Sequence, residues 1–310
     1  MSRHLDPRHD EPERPDPSRG GRVAAETGDR ERSGARDVFA DRLNLPRGPE
    51  RERIHVRGRD YSLRGSEART LATVGAFRVV PAADLRDHDG RPTDARRGDV
   101  AHLREVGLVR TMPYVVGQTR TTLVTLTDRG REVLESSRRG IDRDAQAFYA
   151  GIAKPRELAH DAQLYRAYLR AAERIEGRDA RVNRVVLDYE LKRDYQRFLQ
   201  AENRGHRDSD GRPNRDQEEI ERWAQAHQLP IVDDHVQFPD VRIEFEERDG
   251  RRAVEDVEVT TLHYRGAMAG AKASAGFTSY RAAGARLGGT SRRGRGGRGF
   301  DPRVAEDVLG

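Results

Sequence analysis

The feature that most constrains this chain is a run of alternating side chains between residues 239 and 260. Val241, Ile243 and Phe245 occupy every second position of one arm. Val257 and Val259 do so on the other, with Asp256, Glu258 and Thr260 between and beyond them. Arg248-Asp249-Gly250-Arg251 separates the arms. Period-two alternation around an Asp-Gly pair predicts an antiparallel hairpin with one apolar face on a core. Asp240 and Glu258 then fall on neighbouring strands, where two carboxylates can grip one divalent cation. A charged, solvated hairpin would show the same alternation.

The order of the motifs narrows the reading. Pro239-Asp240 is followed by a turn, by Glu258-Val259-Thr260, and by a run of small residues carrying Lys272 and Tyr280. This order resembles the PD-(D/E)xK nuclease-like superfamily, in the version found in the replication-relaxation family of mobile elements, over about two thirds of the chain. The resemblance implies a site of Asp240, Glu258, Lys272 and Tyr280, with Mg²⁺ or Mn²⁺ held by Asp240, Glu258, the Val259 carbonyl and an upstream Glu190. The metal would acidify a water and offset charge on a phosphodiester. Lys272 and Tyr280, expected on one thin helix, would address the phosphate. This chain departs from the pattern at Thr260, where the superfamily has Lys. Either Lys272 takes over that charge from the helix, or the site has lost catalysis. For Glu190 the ordinary reading is a surface carboxylate.

The N-terminal half carries a second pattern. Helices are expected from Ser66 to Gly75, around Ala82–Arg86, and from Asp94 to Val106. Two β-rich arms follow, Leu108–Val116 and Thr121–Leu126, and Thr127-Asp128 opens a last helix. Leu103-Arg104-Glu105-Val106-Gly107-Leu108-Val109 and the later Leu126-Thr127-Asp128-Arg129-Gly130 resemble bacterial winged-helix regulators. In that fold the third helix enters the major groove and the ribbon tip follows the phosphates. The resemblance therefore implies DNA contacts from Arg96, Arg97, His102, Arg104 and Arg120. In an Arg-rich chain the same residues can simply face solvent.

The remaining segments set the boundaries. Charged residues make up 36% of the 310 positions and hydrophobic ones 35%, too few to bury the whole chain. Residues 1–52, rich in Arg and Pro, are expected to be disordered, apart from a helical turn at Val38–Leu43. Residues 53–140 form the expected winged helix-turn-helix, 141–283 the α/β nuclease-like domain with preceding helices, and 284–310 an Arg/Gly-rich flexible tail. The class is α+β with disordered termini. His160 reads as a capping or packing histidine, Val182–Leu191 as a strand or a helix start, and Trp223 as core. Three lysines stand at 154, 192 and 272, so Lys272 is a rare residue here. With no cysteine, disulfides and thiol chemistry are excluded. No apolar run approaches membrane-spanning length, and a cytoplasmic chain is expected. The expected function is DNA binding in replication or transfer of a mobile element. The partners are double-stranded DNA and a relaxase or replication protein, and the nuclease-like domain would cleave or nick. The alternative is a non-catalytic regulator or accessory factor.

Overall fold

A computed structural model describes residues 34, 36–116, 119–140, 145–152, 155–201, 203, 215–260 and 274–282. Lys272, residues 1–33 and the 284–310 tail lie outside the described residues. The described chain is α+β. No helix in it is long and apolar enough to cross a membrane.

Helix α1 (Val38–Asp41) comes first, with Val38, Phe39, Leu43 and Leu45 buried. The segment expected to be disordered up to residue 52 thus enters the core at its end. Composition averaged over 52 residues hides four apolar side chains spaced to seat together. Strands β1 (Glu52–Val56) and β2 (Arg59–Leu63) form a hairpin that the sequence reading did not anticipate. It closes through Arg57 and Gly58, both at positive φ, which matches the twist of a two-residue turn.

Helix α2 (Gly65–Phe77), the short strand β3 (Val80–Pro81) and a 3-10 turn at Ala82–Asp84 lead to α3 (Gly98–Glu105). Strands β4 (Val109–Val116) and β5 (Thr119–Leu126) pair antiparallel, and β3 adds on the far side of β5. Helix α4 (Asp128–Ser136) follows, capped by Thr127, whose hydroxyl accepts from the Gly130 N–H at 3.1 Å. The start of α3 is later than the expected Asp94. The Asp94 carboxylate takes the Arg96 N–H at 2.8 Å, and Gly98 at φ 70 turns the chain before the helix begins.

The C-terminal half is built on a second sheet. Helix α5 (Leu158–Glu176) precedes β6 (Arg181–Leu187), which runs directly into α6 (Asp188–Leu199). Helix α7 (Gln217–Ala226) and the small hairpin β7 (Ile231–Val232) and β8 (His235–Val236) come next. The expected hairpin forms as β9 (Val241–Glu246) and β10 (Arg252–Thr260). Gly250, at φ 83, donates its N–H to Glu247 O and closes the turn. Strand β11 (Thr278–Arg281) lies parallel to β10, and the sheet order is β11-β10-β9-β6.

Both faces of this sheet are covered. Tyr165, Tyr168, Ala172 and Ile175 of α5 share a cluster with Val241, Ile243, Phe245, Val257 and Val259. On the other face Val186, Leu191, Ala224 and Leu229 pack with Trp223, Ile231, Val236 and Phe238. The polar face of the hairpin is therefore not simply solvated. Arg242 is buried there, paired through two nitrogens with both Asp256 oxygens at 2.8 Å. It also donates to the His227 and Gln228 carbonyls at the end of α7. A guanidinium is the side chain suited to that position, because its fork of N–H donors makes all four of these bonds at once. A single core cluster runs from Val38 to Tyr280 and includes residues of both halves.

Candidate functional site

The register that pairs Val241 with Val257 places Asp240 opposite Glu258 one step further on. Asp240 sits in the bend before β9, and its Oδ2 accepts the Val259 N–H at 2.8 Å. The two expected carboxylates are thus brought to adjoining strands. Both are nearly enclosed, Asp240 at 7% and Glu258 at 4% exposure. Enclosure on this scale makes a carboxylate costly to keep charged unless a cation or donors stand beside it.

One cation is already there. His160, in the first turn of α5, places Nε2 2.9 Å from Asp240 Oδ2 and Nδ1 3.5 Å from Asp161 Oδ1. Burial works against a charged ring. The hydrogen bonds and charges of Asp161 and Asp240 outweigh it and raise the His160 pKa to about 10. The ring is therefore an imidazolium at neutral pH. From the sequence His160 reads as a capping or packing residue because spacing makes no partner evident, although Asp161 is the next residue. The nearer contact, Asp240, comes from the bend before β9, far along the chain.

The other expected residues lie apart. Glu190, in the first turn of α6, is buried in an ion pair with Arg184 and accepts the Tyr149 hydroxyl at 3.1 Å. Burial and then the Glu190 charge hold the Tyr149 phenol far above its usual pKa, so it stays a donor. Among the described residues, three or more possible ligands gather within 4.8 Å only at Asp87, His88 and Asp89, on the loop before α3. Glu190, Asp240 and Glu258 form no such group. Tyr280 is on strand β11, opposite Val259, with Arg170 stacked 5.3 Å from its ring centroid. Tyr280 is therefore on a strand and not on the helix expected to carry it; Lys272 lies outside the described residues. The β-branched and aromatic pair Thr278 and Tyr280 suits a strand.

In the N-terminal half, Arg96 and Arg97 precede α3 and are exposed. Arg97 contacts Asp94 at 3.3 Å. Arg104, on α3, and Arg120, opposite Val115 on the ribbon, are also exposed. His102 is turned the other way. Its Nδ1 lies 3.0 Å from Glu67 Oε1, and Arg51 bonds the same fully buried carboxylate at 2.5 and 2.9 Å. Comparison with family models, curated proteins and solved structures gives no match to this chain.

Proposed function

We propose that this chain is a DNA-binding protein of the replication or transfer apparatus of a mobile element. On this reading a winged helix-turn-helix at 65–136 is joined to a nuclease-like domain that holds Mg²⁺ or Mn²⁺. The observation that carries the reading is that Asp240, in the bend before β9, falls beside the β10 segment that holds Glu258, with its carboxylate fixed on the Val259 amide. The donor set fits a hard divalent cation, since carboxylate oxygens are its preferred ligands. Asp240 and Glu258 would hold it, and it would supply charge to a phosphodiester and acidity to a water. His160 already offers Asp240 one positive charge, so cation binding competes with that contact. The helix, short strand, helix, ribbon order of 65–126 supports the winged helix. Arg96, Arg97, Arg104 and Arg120 are exposed on it. His102 serves the fold rather than the groove.

A non-catalytic accessory factor is the second reading, and two observations favour it. Glu190 is committed to Arg184 and Tyr149, and Thr260 stands where a catalytic lysine would be.

One series tests both readings. Arg120→Ala should weaken binding to all duplexes and lower the salt slope by about one. Arg97→Ala should weaken a preferred site more than random duplex. Mn²⁺ should raise the melting temperature, and Asp240→Asn and Glu258→Gln should abolish that rise. Nicking that requires Lys272 would establish the nuclease. A metal response without nicking would leave the accessory factor. No duplex binding by fluorescence anisotropy, with no metal response, would end both.

A further inference from the structure

The end of α2 carries a strained turn. Arg78 has φ 66 and ψ −53, and Val79 N–H donates across it to Phe77 O at 2.6 Å. That is a γ-turn of positive φ, which residues other than glycine rarely hold. Strain of this kind persists where surrounding structure or function fixes it. Here it aims the guanidinium at two rings. The Arg78 carbon lies 5.6 Å from the Tyr149 centroid and 5.3 Å from that of Tyr189. The rings meet edge to face at 6.2 Å.

The two tyrosines differ in what holds them. Tyr149 donates its hydroxyl to Glu190 and its N–H to Gly75 O. Tyr189 is 46% exposed, one of two large apolar side chains so placed among the described residues. It follows Asp188, whose N–H donates to the Asp240 carbonyl at 3.2 Å. An exposed ring, backed by a cation, therefore stands one residue beyond a backbone contact to Asp240. Lys192 and Arg193 follow it three and four residues on, along one flank of α6.

We propose that Tyr189 and Arg78 form a stacking platform for one unpaired base of a DNA strand. This rests on the DNA-binding reading and adds a substrate class to it, a single-stranded or locally opened stretch. Aromatic faces bind bases without regard to sequence, and a guanidinium over the ring adds a cation–π contact. The competing role is a staple between the end of α2 and α6, which would show in stability rather than in binding.

The test is fluorescence anisotropy of the full chain with a labelled mixed-sequence oligonucleotide and its duplex. Tyr189→Ala should weaken single-strand binding about tenfold and leave duplex affinity within about twofold, because stacking on one aromatic ring carries that much. Tyr189→Phe should bind as the parent. Arg78→Gly, which relaxes the turn, should lose affinity for the single strand without losing thermal stability. Equal single-strand affinity of Tyr189→Ala and parent would overturn the platform. So would a parent chain that binds duplex but no single strand, and the DNA-binding reading would survive either result. A parent chain that binds neither form would end both.

Discussion

At the residue scale the decisive group is His160. Its folded pKa of about 10 exceeds the ordinary 6.5, so the imidazolium stabilises the native state. The contribution is full below pH 6.5 and is lost as pH rises through 10. Without added metal, the melting temperature of the parent should therefore fall between pH 7 and 10. His160→Gln should start lower at pH 7 and show a flatter decline, and the difference between the two curves isolates this ring. Parallel curves would mean that the Asp240 contact contributes no stability. Asp240 and Glu258 were legible in the sequence because strand periodicity and an Asp-Gly turn fix which positions face each other. His160 was not. Hydrophobic spacing says nothing about a polar pair joined only when a helix is laid across a sheet.

At the element scale, α4 shows why a motif residue is what it is. A Cβ on Gly130 would lie 2.1 Å from the Leu108 carbonyl oxygen. Backbone meets helix there because Thr127 donates its hydroxyl to the Gly107 and Leu108 carbonyls and its N–H to Leu108 O. Gly130→Ala must push that junction apart, and should cost about 1–3 kcal/mol, the usual range for overpacking. Thr127→Ala should cost about 1 kcal/mol through the lost cap. Chemical denaturation would check both, and an unchanged midpoint for Gly130→Ala would refute the close approach. The Leu126–Gly130 pattern pointed to this helix from the sequence. The late start of α3 and the β1–β2 hairpin did not show, because a side-chain turn at Asp94 and a hairpin with charged flanks leave weak apolar signals. Tyr280 was misplaced for a related reason: a run of small residues fits a helix and a strand approach equally well.

At the scale of the molecule, an aromatic knot joins the two halves. Phe39 contacts Phe77 and Tyr168 with centroids 5.4 and 5.3 Å apart, and Phe77 contacts Tyr165 at 5.1 Å. Arg36 donates to the Asp84 carbonyl and the Tyr165 hydroxyl, and Arg166 pairs with Asp84 at 2.6 Å. Phe39→Ala should cost about 3–5 kcal/mol, as for a buried ring. The chain has one tryptophan, Trp223, which packs on the opposite face of the second sheet. Its fluorescence and the far-UV circular dichroism should shift to a lower midpoint together in Phe39→Ala. Separate midpoints would show that the halves unfold independently.

The shared core that runs from Val38 to Tyr280 also bears on inheritance. A recombination joint placed near residue 140 would leave Phe77 on one product and Tyr165 and Tyr168 on the other, each with a bare aromatic face. Such products would aggregate before they could be selected for a new combination. The two halves must therefore be passed on as one piece, because neither keeps its aromatic core without the other.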